Sequence, residues 1–169
     1  MGLHLQRYFY RSADSILNTR PLIQDEVDKA LLTLCLDFPS MSRAYFNDLL
    51  KQNFFHAGWE HHPSRLHEPV DPFSKIELIK QNVGLELGFR HTSLIGHNLI
   101  KFQLSSAHNS DRIDVGIYVT TTRNFQKFLK KNYNHNWAGA MYFEKVERYL
   151  RHFTSTILMP IYLVGLDVV

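Results

Sequence analysis

The spacing of hydrophobic positions changes along the chain, and each change marks a predicted element. Over residues 21–36, Ile23, Val27, Ala30, Leu31 and Leu34 recur at near-helical intervals, with Asp25 and Glu26 in the early turns and Pro39 beyond the end. That pattern predicts a helix. A short helix over residues 12–17 precedes it, and another over 42–54 turns Tyr45, Phe46, Leu49 and Leu50 inward before Gly58 and the polar stretch 60–67. The centre has a different rhythm. Residues 75–79 supply Ile76 and Leu78, and residues 83–89 alternate Val83, Leu85, Leu87 and Phe89 with Glu86 and Gly88. Two adjacent strands joined through residues 80–82 follow from that alternation. Helical spacing returns over 97–104, a strand is predicted over 112–119, and a helix over 141–150 carries Tyr142 or Phe143, Val146 and Leu150 inward. An apolar strand over 159–166 ends the series.

Helices first, then a hairpin, helix, strand, helix and strand, predict an α/β (α+β) protein with a mixed central sheet flanked by helices. No repeat, low-complexity block or linker interrupts the 169 residues, so one domain spanning 1–169 is expected. The composition, 44% hydrophobic and 21% charged, is that of a globular chain. A disulfide-stapled miniprotein is excluded, because Cys35 is the single cysteine; it falls in the apolar run 30–36 and is expected to be buried filler. No apolar window of roughly 18 residues is present, and Arg7 and Arg11 interrupt any secretion-signal pattern at the start. A soluble, cytoplasmic protein with no membrane segment is expected.

Charge is unevenly placed. Residues 1–72 carry nine acids and seven Lys/Arg, whereas residues 73–169 carry seven acids and twelve Lys/Arg, so the halves bear −2 and +5. Arg123, Lys127, Lys130 and Lys131 occur with no acid among them, and Asn132, Asn134 and Asn136 follow before Trp137. Such a set suits the phosphates of a polyanion, and the asparagines with His135 suit base edges; a solvated helix or loop face and an Asn-rich turn account for the same residues. Trp59, Trp137, Tyr142 and Phe143 are read as core aromatics.

The sharpest chemical feature is Glu77 followed by Glu86 on the two strands of the hairpin. On antiparallel neighbours the carboxylates converge at a sheet end and can share a hard divalent cation such as Mg²⁺, which relieves their repulsion. A phosphodiester would complete the coordination. The alternative is two exposed acids on alternating strands. Lys75, Lys80, Arg90 and His91 flank the pair and could position phosphates or solvate the hairpin. His56, His61, His62 and His67 invite a zinc reading, but no compact Cys/His spacing supports one, and a solvated His-rich turn is expected instead.

Residues 12–18, 58–60, 75–89, 113–120, 141–150 and 160–166, taken in order, resemble restriction endonucleases related to BglII, BstYI and BamHI in the PD-(D/E)XK nuclease superfamily. The resemblance implies a restriction-endonuclease-like fold, with Glu77 as the first metal-binding acid and Glu86 as the acid of the (D/E)XK strand. Gly88 stands where many relatives have Lys and this subgroup often has Gln or Glu. Glycine offers no side chain to water, phosphate or metal, so Glu60, from a preceding helix in some relatives, and Lys101 or His91 are candidates to replace it.

By the same resemblance the protein is a Mg²⁺-dependent, sequence-specific double-stranded DNA endonuclease of prokaryotic type. It would act as a homodimer on a short palindrome, with residues 42–50 or 141–150 as candidate interfaces. Three accounts of Gly88 stay open: cleavage with a compensating group, DNA binding without efficient cleavage, or an inactivating change that Gly88→Lys would reverse. An RNA-directed function lacks an RRM-like aromatic motif or a KH-type glycine loop.

Overall fold

The computed structural model describes residues 2–61, 75–106 and 112–169. Its described elements run β1 (Leu3–Tyr10), α1 (Ala13–Leu17), α2 (Pro21–Leu32), α3 (Arg43–His56), β2 (Glu60–His61), β3 (Leu78–Lys80), β4 (Val83–Leu87), α4 (Ile95–Ser105), β5 (Val115–Thr121), α5 (Arg123–Tyr133), α6 (Phe143–His152) and β6 (Ile161–Val168). The strands form a mixed sheet in the order β1-β6-β5-β4-β3-β2. β4, β5 and β6 are parallel, while β1 pairs antiparallel with β6 and the β2–β3–β4 edge is antiparallel.

β5 and β6 are buried at every position, as expected of parallel strands covered on both faces. Period-two alternation then divides the core. Leu85, Ile117, Val119, Tyr162 and Val164 join the apolar faces of α2, α3 and α5 in one cluster. Tyr118, Ile161 and Leu163 face the other way, against Ile95, Leu99 and Phe102 of α4 and Phe143, Val146 and Leu150 of α6. Two caps fix the entry of the helices: the hydroxyls of Ser42 and Thr122 accept from the amides of Tyr45 (3.1 Å) and Phe125 (3.0 Å).

Three expectations are corrected. The chain begins with a strand rather than helices: β1 is an edge strand in which the exposed His4, Gln6 and Arg7 interrupt the alternation. The helix expected to reach residue 36 stops at Leu32, where Thr33 takes a non-helical conformation and turns its hydroxyl back to the Lys29 carbonyl. Beyond that stop Leu34 is buried while Cys35 points outward, so the cysteine is exposed rather than core filler. The basic stretch is helix α5, with Phe125 and Leu129 buried and Arg123, Lys127, Lys130 and Lys131 on its exposed side. Both tryptophans are core residues; Trp137 donates to the Met41 carbonyl (3.2 Å) and Trp59 to Glu26 (2.7 Å). Among the described residues no helix is long and apolar enough to cross a membrane.

Candidate active site

Extending the β3/β4 register by one residue sets Glu77 opposite Glu86. The backbone holds both carboxylates. The Glu77 amide donates to Glu86 Oε1 (2.8 Å), and the Leu87 amide donates to Glu77 Oε2 (3.1 Å). Lys101 approaches from α4, with Nζ 2.7 Å from Glu86 Oε1, and Lys51 of α3 lies 3.6 Å from Glu77 Oε1. Glu77, Glu86 and Lys101 border a depression of about 300 Å³ lined also by His61, Lys75, Arg90, His97 and Asn98.

Glu86 is almost wholly buried, its side chain 3% exposed, and this desolvation pushes its carboxyl up to about 7. Lys101 opposes the rise by favouring the carboxylate, and Glu77 adds to it by repulsion. The folded state therefore holds a proton that the unfolded chain releases near pH 4.5, so stability from this group is greatest below that value. It is lost as pH rises toward 7, by an amount of about 3 kcal/mol. Thermal melts in chelator across pH 5–8 are expected to show this slope, flattened in Glu86→Gln. Cation affinity is expected to climb over the same interval, because the ion displaces a proton.

The chemistry of the donor set suits Mg²⁺, which is commonly held by one or two carboxylates while water and substrate phosphate fill its other positions. Among the described residues no cluster of three or more His, Cys, Asp or Glu is placed to hold a metal, so Glu77 and Glu86 would be the protein's side-chain ligands. Of the zinc-reading histidines, His62 and His67 lie outside the described residues.

Other expected residues sit elsewhere. Lys80 is not at the pocket; its ammonium is bound by Glu26 Oε2 (2.7 Å) and the Ala57 carbonyl. Glu60 is on strand β2, not a preceding helix, and is exposed opposite Ile79, while its neighbour His61 borders the pocket. His91 caps a short turn, accepting from the Ser93 amide (3.2 Å), and bridges to Ala140 rather than lining the pocket.

Segment 90–92 links the carboxylate pocket to a second depression of about 430 Å³, lined by Arg123, Lys127, Lys130, Lys145, Gln126 and Asn136 among others. Lys131 is exposed outside that lining. Asn134 closes α5 in the left-handed conformation (φ 56°), and Asn136 accepts from the Ala138 amide, so the asparagines shape turns here. Gly139 (φ +76°) lets the loop approach His91; a Cβ there would lie 2.8 Å from the ring.

Gly88 is walled in. A Cβ at this position would stand 2.6 Å from Tyr118 Cε2 and 3.0 Å from Met141 Sδ. Its backbone is pinned as well, the amide to Val119 (2.7 Å) and the carbonyl to the Thr120 hydroxyl (2.9 Å). The position is not a side-chain site emptied by one substitution.

Sequence reasoning missed Lys51, Asn98 and Tyr118. Asn98 and Lys101 were detectable as polar interruptions of the apolar face formed by Ile95, Leu99 and Phe102, where burial demands a partner. Lys51 meets Glu77 only through tertiary packing.

The sheet, with α4 and α6 on one face and the remaining described helices on the other, defines a restriction-endonuclease-like protein. Residues 5–166 match the model of the family described as restriction endonuclease BglII/BglIII, and the chain belongs to that family. Its fold is similar to the crystal structure of BglII complexed with a DNA 16-mer (TM-score 0.75, 21% identity, covering 100% of this chain and 78% of that one). It is also similar to free BglII (TM-score 0.66, 19% identity, 98% and 79%). No curated protein matches the chain.

Proposed function

We propose that this protein is a Mg²⁺-dependent endonuclease that hydrolyses phosphodiester bonds in double-stranded DNA at a specific short, palindromic sequence. The observation that carries the reading is the convergence of Glu77, Glu86 and Lys101 on one pocket in a chain of this family. Glu77 and Glu86 would hold the cation. When bound, Mg²⁺ supplies the positive charge that activates water and stabilises negative charge on phosphate oxygens. Lys101 would supply the polar group that Gly88 lacks: its ammonium favours the ionised form of Glu86 against burial and, with Lys75 and Arg90 at the same pocket, would face the scissile phosphate. Arg123, Lys127 and Lys130 continue this positive surface toward neighbouring phosphates, where their attractions add.

The solved relative in complex with DNA supports duplex DNA as the substrate class. A homodimer would bring one pocket to each strand. The second reading, a DNA-binding protein without efficient cleavage, draws on the absence of a side chain at Gly88. Plasmid digestion with and without Mg²⁺ separates the two. Discrete fragments that require the cation are expected; sequence-specific binding with no cleavage at any Mg²⁺ concentration would favour the second.

A further inference from the structure

Position 88 gives the pocket no side chain, yet the space beside it is filled by a connected group. Tyr118 occupies it and is fully buried. The Tyr118 hydroxyl donates to Met141 Sδ (2.8 Å) and accepts from Asn98 Nδ2 (2.8 Å). Asn98 is buried on α4, borders the carboxylate pocket, and precedes Lys101 by three residues, so the two share a helix face.

The direction of these bonds orients the amide. A hydroxyl whose hydrogen is turned to Met141 accepts from its other neighbour, so the nitrogen end of Asn98 faces Tyr118. The carbonyl oxygen is then the end that Asn98 offers to the pocket. Around it Glu86 Oε1 takes Lys101 and the Glu77 amide, Glu77 Oε2 takes the Leu87 amide, and the remaining carboxylate oxygens are the ones that would meet the cation. The ammonium of Lys101 has no lone pair to offer. A neutral amide oxygen is suited to orient a water molecule by accepting one of its hydrogens.

We propose that Asn98 is a catalytic residue, its side-chain oxygen accepting a hydrogen bond from the attacking water, and that Tyr118 is a positioning residue acting through it. The inference rests on the nuclease reading and names its water-orienting group. The water oxygen forms the new bond to phosphorus as the ester P–O bond breaks. One water hydrogen ends on the released alkoxide, and the other stays on the oxygen now bound to phosphorus.

The test compares single-turnover cleavage, duplex affinity in chelator and melting temperature for the unaltered protein, Asn98→Ala, Tyr118→Phe and the double variant. Asn98→Ala is expected to slow cleavage about 100-fold. Tyr118→Phe keeps the ring beside Gly88 and loses only the hydroxyl, for an expected loss of about tenfold. Because Tyr118 acts through Asn98, the double variant should be no slower than Asn98→Ala, with duplex affinity in all variants within about twofold. Cleavage by Asn98→Ala within about threefold of the unaltered rate, or losses that multiply in the double variant, would overturn the proposal. An unaltered protein that cleaves no duplex overturns the nuclease reading and this one with it, whereas active protein with an equally active Asn98→Ala overturns only the role of Asn98.

Discussion

Gly88→Lys is expected to destabilise the protein by about 3 kcal/mol or more and to leave it without cleavage, although the resemblance to the wider nuclease superfamily implies Lys at this position. The new Cβ would overlap the Tyr118 ring, and the hydrogen bonds on both sides of residue 88 prevent the strand from moving away. To make room, Tyr118 must leave its contacts with Asn98 and Met141. Chemical denaturation measures the loss. Adding Tyr118→Ala opens the space, so the double variant should be more stable than the sum of the two single losses allows, by about 1 kcal/mol or more. Equal stability of Gly88→Lys and the unaltered protein would show that Tyr118 does not block the position.

Lys101→Met acts on the charges of the site rather than on its packing. The substitution keeps an apolar stem of similar length but leaves Glu86, 2.7 Å from the lost ammonium, as a buried charge with no cation beside it. Removing one partner of a buried pair costs about 3–5 kcal/mol. Here the cost depends on pH. Lys101 holds the Glu86 carboxyl down against desolvation, so without it the carboxyl rises further above about 7. The stability deficit should be greatest above that pH and shrink on acidification, when Glu86 is neutral. Cleavage at pH 8 is expected to fall about 100- to 1,000-fold, since both the ionised form of Glu86 and the charge facing the phosphate are lost. Melting curves at pH 5 and pH 8, with single-turnover rates, check both parts; a deficit that is the same at the two pH values would mean that Lys101 does not govern the ionisation of Glu86.

What could be read from the sequence follows from how each element earns its burial. The β3/β4 hairpin, β5 and β6 are legible because Val83–Leu87, Val115–Thr121 and Ile161–Val168 are buried along their length, and their apolar runs reflect it. The β1 strand is not, because at the edge of the sheet its exposed His4, Gln6 and Arg7 break up the pattern of its buried Leu5 and Tyr10. The two-residue β2 is too short to carry any period. For α5, the apolar positions Phe125 and Leu129 are outnumbered by basic and amide residues, so helix and loop look alike until the Thr122 cap is seen.

The site divides along the same line. Glu77 and Glu86 come together because hairpin register, a local property, sets them opposite each other. Lys80 and Glu60 are close to them in sequence but not in function: one ladder position turns Lys80 to Glu26, and Glu60 falls on the outer edge of the sheet. Asn98 and Lys101 reach the pocket by the packing of α4 across the sheet, and the parallel pairing of β5 with β4 sets Tyr118 beside Glu86. None of these long-range placements follows from spacing along the chain. Gly88 looked like a missing catalytic side chain in isolation; beside Tyr118 it is half of a complementary pair.

The most direct measurement is single-turnover cleavage, at fixed Mg²⁺, of a duplex carrying the site located from the fragments of the plasmid digestion, by the unaltered protein and by Glu86→Ala. The account predicts discrete products from the first, none in chelator, and a rate at least about 1,000-fold lower for Glu86→Ala with duplex binding retained. Cleavage by Glu86→Ala at the unaltered rate would contradict it.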